Sequence, residues 1–125
     1  MKFFTLVALH VSFSLSLLAA ELQPHPYALV KPEIGHGKSV MLEVGSTKCQ
    51  TCKEMGELLY DEMKLHPDRK IFFINVREDR DAALALKIQL IPTQIVYDPS
   101  GKEIDRHIGG FTSDDLKQFL AKHKI

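Results

Sequence analysis

The chain has 125 residues, and its 16 lysines and arginines equal its 16 aspartates and glutamates. This balance leaves no strong electric field to attract nucleic acid or an anionic lipid surface, so we expect neither as a partner. The length fits a single domain with one hydrophobic core, and no repeat or low-complexity stretch divides it.

The N-terminal segment has the layout of a secretory signal peptide. Lys2 precedes an apolar run from Phe3 to Ala20 that ends in small residues. We predict a signal peptide over residues 1–20, cleaved at Ala20, which would make the protein periplasmic or secreted. An uncleaved membrane anchor is the alternative, because the run is almost long enough to span a bilayer. Both interpretations place the rest of the chain outside the cytoplasm.

The first half of the remaining chain predicts two strands joined by a helix. Residues 21–37 carry three prolines and two glycines, which favours an irregular lead-in with room for a short helix. Residues 38–45 are predicted as a strand covered on both faces, because apolar side chains occur at both alternating sets of positions. A helix is predicted from about Thr51 to Leu65, with Met and Leu at helical spacing. Residues 70–76, KIFFINV, indicate a buried central strand.

The second half predicts shorter elements. Residues 78–88 suit a helix capped by Asp79 or Asp81. A strand follows at Thr93–Tyr97, and the turn sequence PSGK connects it to an antiparallel arm over residues 103–110.

A last helix is predicted after Thr112 or Ser113, either of which can cap it. The first two strands, joined by a helix, favour a right-handed parallel crossover, and the last two form an antiparallel hairpin. We therefore predict an α/β fold in which a central mixed sheet of about four strands is flanked by helices on both faces.

The two cysteines, Cys49 and Cys52, stand at the start of the first long helix, directly after a strand. A helix N-terminus presents unpaired N–H groups and a positive dipole end, which lowers the pKa of a thiol placed there. Lys48 adds a cation beside Cys49. Cys52 lies one turn further on, within reach of a disulfide. A purely structural role is disfavoured, because so small a loop restrains the unfolded chain little.

The sequence resembles thioredoxin, and the resemblance covers residues 38–125 as one domain. It is carried by VMLEVGSTKCQTCKEM and IPTQIVYDPSGKEIDRHIGGFTSDDLKQFL. It implies a redox-active pair in which Cys49 attacks a disulfide and Cys52 resolves the mixed disulfide. It also implies that Pro92 is cis and packs beside the cysteines, with Ile91 and Thr93 in the same substrate-binding segment. An ordinary trans proline opening an edge strand is the alternative.

The resemblance assigns two further positions. Glu43, six residues before the first cysteine, matches a buried acid that accepts and returns the proton of Cys52. A surface glutamate on a half-exposed strand is the alternative. Gly109, followed by Gly110, matches a glycine that lets a partner's backbone approach the site, although simple turn chemistry would also explain it.

The chain departs from thioredoxins at the cysteine pair itself. Lys48 replaces the usual tryptophan, and Gln50-Thr51 replaces Gly-Pro. These positions influence the redox equilibrium and the surface that meets partners, so the resemblance does not imply a reduction potential or a substrate choice.

Other chemistries have weaker support. No histidines fall at metal-ligand spacing, and His107 is interpreted as a surface residue, so we expect no metal and no small-molecule cofactor. Copper(I) carriage by the two thiolates and a non-catalytic binding module remain alternatives of another class.

We therefore predict an exported, monomeric thiol–disulfide oxidoreductase. Its partners would be client proteins with cysteines or disulfides, which it reduces, and a membrane thiol electron donor. A disulfide oxidase or isomerase is the alternative.

Overall fold

The computed structural model describes residues 20–125, so the predicted signal peptide, apart from Ala20, lies outside the described residues. Four strands form one mixed sheet in the order β2-β1-β3-β4. They are β1 Val40–Gly45, β2 Ile71–Asn75, β3 Thr93–Tyr97 and β4 Glu103–Ile108. The α-helices are α1 Tyr27–Val30, α2 Gln50–Leu65, α3 Arg80–Ala85 and α4 Ser113–Lys122, and a 3₁₀ turn at Lys31–Glu33 follows α1. Between residues 20 and 125, no helix is long and apolar enough to cross a membrane.

The register places one row of side chains straight across the sheet. Strands β1 and β2 are parallel, with Glu43 opposite Phe73. Strands β1 and β3 are antiparallel with Glu43 opposite Gln94, and β3 and β4 are antiparallel with Gln94 opposite His107. The predicted parallel crossover and the predicted hairpin are both confirmed.

The core lies on both faces of the sheet, as predicted. Every residue of β1 is buried. Val40, Leu42 and Val44 pack on the side that holds α1 and α3. Met41 packs on the other side, against buried side chains of α2 and α4. Because side chains alternate along a strand, Glu43 and Gly45 share the α2 side with Met41.

The prediction that residues 70–76 form a central strand is wrong. Strand β2 is at the edge of the sheet, and β1 and β3 occupy the centre. The lead-in covers this edge: the His25 N–H donates to the Phe73 carbonyl at 2.8 Å, and Pro24 forms a bridge to Phe73. The strand is apolar because helices cover its faces and the lead-in covers its free edge.

Side-chain caps fix where three helices begin. Helix α2 starts at Gln50, one residue before the predicted start, with Cys49 as its N-cap. Asp79 caps α3 by accepting the Ala82 N–H at 3.1 Å, and Thr112 caps α4. Helix α3 is shorter than the predicted 78–88.

Candidate functional site

The two cysteines form a disulfide at the N-terminus of α2, with 5.1 Å between their Cα atoms. Cys49 has extended backbone angles, and its sulfur accepts the Cys52 N–H at 3.3 Å. Cys49 is half-buried, whereas Cys52 is only 4% exposed. A sulfur that already accepts a helix N–H is placed to be stabilised as a thiolate on reduction, and the more exposed of the two is the one a partner can reach.

Lys48 lies just outside this helix end. Its side chain is exposed, and its backbone N–H donates to the hydroxyl of buried Ser46 at 3.0 Å. This bond holds the loop between β1 and α2 that delivers Cys49 to the helix terminus.

Gly45, the last residue of β1, lets the strand approach the second cysteine closely. A Cβ built on Gly45 would lie 2.9 Å from the Cys52 sulfur and 3.2 Å from the Cys52 Cβ. No real side-chain carbon is tolerated at such a distance unless a neighbour moves, and Cys52 is tethered by its disulfide. Gly45 was not among the predicted site residues. Its position before the cysteine loop was the available signal.

Glu43 is buried on the same side of β1 as Gly45, at 1% exposure, which excludes the surface-glutamate alternative. Burial raises its pKa from 4.5 to about 8, and a hydrogen bond from the Gln94 side chain opposes the rise. The Gln94 Nε2 donates to Glu43 Oε2 at 2.9 Å. Among the described residues, the other oxygen, Oε1, has no hydrogen-bond partner. An acid in such a setting exchanges its proton near neutral pH.

The Ile91–Pro92 peptide bond is cis, and Pro92 is buried while Ile91 is 36% exposed. Thr93 pairs with Val44, so one step further along this register brings Pro92 opposite Gly45. The proline therefore lies at the end of the sheet that carries the cysteines. Within residues 20–125, neither the N–H nor the C=O of Ile91 forms a backbone hydrogen bond.

Gly109 and Gly110 close the same end of the sheet. The Gly109 N–H donates to the Pro92 carbonyl at 2.8 Å. Gly109 has φ +104°, which favours glycine, and apart from its own chain neighbours no atom of residues 20–125 lies within 4 Å of where its Cβ would be. A Cβ on Gly110 would instead lie 2.9 Å from the Thr51 methyl group. The turn interpretation and the open approach beside Gly109 are thus compatible.

Comparison with known proteins assigns this arrangement to a family. A family model for the thioredoxin-like domain matches residues 30–124. The chain belongs to the thioredoxin-like family.

Individual relatives agree with this assignment. A thioredoxin from Geodia cydonium is 28% identical over 87 residues, which are 70% of this chain and 81% of that protein. The thioredoxin of Malassezia sympodialis superposes with a TM-score of 0.69 at 23% identity, over 87% of this chain and 96% of that one. Mitochondrial thioredoxin 3 from Saccharomyces cerevisiae, in its oxidised form, gives 0.67 at 20% identity, over 81% and 94%. These two structural similarities support the fold.

The family and the Cys49–Cys52 disulfide together make this thioredoxin-like domain a thiol–disulfide oxidoreductase. No group of three or more His, Cys, Asp or Glu side chains between residues 20 and 125 is clustered closely enough to hold a metal ion.

Two polar residues of the site were missed by the sequence analysis. Gln94 is 0% exposed and joins Glu43 to the hairpin. His107, interpreted as a surface residue, is half-buried: its Nδ1 lies 2.6 Å from Gln94 Oε1, and its ring stacks on Phe111 at 3.9 Å. A polar residue among the apolar residues of a buried strand was the signal at Gln94. The cross-strand register that gives Gln94 its partners cannot be predicted from the sequence of either strand alone.

Proposed function

We propose that this oxidoreductase acts outside the cytoplasm as a reductase of disulfides in client proteins. The observation that carries the proposal is the difference in exposure between the two cysteines. Cys49 is half-buried and caps α2, whereas Cys52 is buried behind it. Cys49 is therefore the nucleophile, and Cys52 is the resolving thiol.

In the first step the Cys49 thiolate attacks one sulfur of a client disulfide. The client S–S bond breaks, a mixed disulfide joins Cys49 to the client, and the first client thiolate leaves and takes up a proton. The N–H groups at the start of α2 stabilise the attacking thiolate. Thiolate attack on a disulfide sulfur is the general route of this exchange.

In the second step Cys52 attacks the Cys49 sulfur. Glu43 accepts the Cys52 proton, the mixed disulfide breaks, and the second client thiolate leaves. The pKa of Glu43, raised by burial to about 8, suits proton exchange with a thiol near neutral pH. The client gains two electrons and two protons, and the Cys49–Cys52 disulfide forms. A thiol electron donor in the membrane would return two electrons to the pair.

The client segment would bind beside the cis proline as an added strand. The unpaired N–H and C=O of Ile91 offer two backbone hydrogen bonds, which is how strand addition supplies affinity. Pro92 and Thr93 hold Ile91 in place at the start of β3. Gly109 leaves room for the incoming client backbone, and exposed Lys48 lies beside its path.

The direction of the reaction and the location have separate support. Ile91 before the proline and an acid at position 43 resemble the reducing thioredoxins more than the oxidants. The apolar run of residues 1–20 supports export. A Leu9→Arg substitution would interrupt that run. Cell fractionation should show loss of export for this variant, and an unchanged distribution would contradict export by this segment.

Trapping of the mixed disulfide tests the division of roles. Cys52→Ser should accumulate a covalent adduct between Cys49 and a disulfide-containing probe protein, because nothing resolves it. Cys49→Ser, the matched control, should form no adduct and catalyse no reduction. Equal adduct yields from the two variants, or adducts on Cys52 alone, would reverse or refute the assignment.

A further inference from the structure

Glu43, Gln94 and His107 form one hydrogen-bonded chain across three neighbouring strands. They stand in the same row of the sheet, on β1, β3 and β4. Gln94 Nε2 donates to Glu43 Oε2 at 2.9 Å, and His107 Nδ1 lies 2.6 Å from Gln94 Oε1. The buried acid is thereby connected to a half-buried imidazole through a side chain that solvent does not reach.

The imidazole of His107 is held in place at the surface end of this chain. It stacks on Phe111 with an interplanar angle of 19° and lies 6.2 Å from the ring of Phe119. The groove that it lines also contains Asp115 and Lys122 of α4, which carry opposite charges. The ring is therefore fixed in orientation while remaining accessible to proton exchange with solvent.

A carboxamide has one donor end and one acceptor end, so the Gln94 amide can satisfy its neighbours in two ways. In the observed arrangement Gln94 Nε2 faces Glu43 Oε2 and Gln94 Oε1 faces His107 Nδ1. This arrangement suits an ionised Glu43, which accepts from the NH₂, and a His107 that donates its Nδ1–H to the carbonyl. In the reverse arrangement its carbonyl accepts from a protonated Glu43, and its NH₂ donates to an unprotonated Nδ1. The proton on His107 Nδ1 selects the first arrangement.

We propose that His107 is a positioning residue for Glu43. By donating its Nδ1–H to Gln94 Oε1, it holds the amide with the NH₂ toward the acid and favours the ionised carboxylate. The inference rests on the proposed function, in which Glu43 must be ionised to accept the Cys52 proton.

The surroundings of Glu43 make this one donor important. Within the described residues Oε1 has no partner, and the only hydrogen bond to the carboxylate is the one from Gln94. On the β2 side the row ends in apolar Phe73. From α2, Cys52 lies against Gly45, two residues along β1, and has no proton to titrate while it is in the disulfide. The charged groups along the His107 groove are Asp115 and Lys122 of α4. Loss of the fixed amide would leave the buried carboxylate without any oriented donor.

The test is a ¹³C NMR titration of the Glu43 side-chain carboxyl in the intact, oxidised protein. His107→Phe keeps an aromatic ring to stack on Phe111 but removes the donor. It should raise the titration midpoint by about one pH unit or more, because hydrogen bonds to charged groups are strong. His107→Asn is the matched control, since its Nδ2 stands at the same bonded distance as Nδ1. It should restore the midpoint to within about 0.3 pH unit of the wild type.

A second comparison shows whether the effect passes through Gln94. In a Gln94→Leu background, adding His107→Phe should cause no further shift. A persisting shift in that background would overturn the proposal, as would identical midpoints for wild type and His107→Phe.

If a variant does not fold, the ¹⁵N shifts of the His107 ring in the wild type decide. A neutral ring protonated only at Nε2 while Glu43 is ionised would overturn the proposal, and a protonated Nδ1 would support it. None of these measurements requires a client or turnover. A protein that proves not to be a reductase could still show the coupling, so the two failures are distinguishable.

Discussion

Replacing Glu43 with glutamine should remove a pH-dependent loss of stability from the oxidised protein, so that the stability of the variant relative to the wild type increases with pH. Burial raises the pKa of Glu43 from 4.5, its ordinary value, to about 8. Between these two values the folded chain holds a proton that the unfolded chain has lost. The ionisation of Glu43 therefore costs no folding stability below pH 4.5, and the unfolding free energy falls as pH rises toward 8.

The size of the effect follows from the linkage between protons and folding. Each unit of raised pKa corresponds to about 1.4 kcal/mol. The wild type should therefore lose about 3 kcal/mol of unfolding free energy by pH 7, and about 4 kcal/mol by pH 8, relative to low pH. Glu43→Gln cannot ionise, so it escapes this loss. If glutamine places its amide group where Glu43 Oε1 lay without a partner among the described residues, any cost of this is independent of pH and lowers the unfolding free energy equally at every pH.

Urea unfolding of the oxidised chain between about pH 5 and pH 8.5 measures this difference. The disulfide stays intact, so neither thiol titrates. Glu78→Gln is the matched control, because it makes the same chemical change at an exposed side chain. A stability difference between Glu43→Gln and wild type that is constant across this range, or that shrinks as pH rises, would contradict a raised pKa at Glu43.

Two further substitutions test the local geometry. Gly45→Ala should destabilise the oxidised protein by about 1–3 kcal/mol in urea unfolding, because its Cβ would lie 2.9 Å from the resolving sulfur; an unchanged stability would contradict this. Asp79→Ala should cost roughly 2 kcal/mol, because Asp79 accepts both the Ala82 N–H and the Tyr27 N–H. Asp81→Ala, two residues further along and exposed, should cost clearly less, and equal losses would show that the cap is unimportant.

Much of the fold could be predicted because its signals are local. Strand β3 was predicted at Thr93–Tyr97, between Pro92 and the turn sequence PSGK, and these limits agree with the structure. Cap residues placed the starts of the last two helices within one or two positions, since Asp79 and Thr112, like the alternatives Asp81 and Ser113, can satisfy free N–H groups from within their own segments. The position of Cys49 at a helix terminus was available for the same reason.

What could not be predicted depends on contacts between distant segments. The apolar sequence of β2 is typical of a central strand, and its sequence does not show that the lead-in, rather than another strand, covers its outer edge. Glu43, Gln94 and His107 come together through two antiparallel registers. A shift of either register by one residue would separate them, and periodicity alone does not specify that choice.

The equilibrium reduction potential of the Cys49–Cys52 pair decides whether this oxidoreductase is a reductase or an oxidase. It is measured by titrating the folded protein against a thiol–disulfide buffer of known poise and quantifying the two oxidation states. If the protein is a reductase, we expect a reduction potential near that of thioredoxin, about −270 mV. A value near about −120 mV, typical of a strong periplasmic oxidant, would contradict that direction and indicate a donor of disulfides.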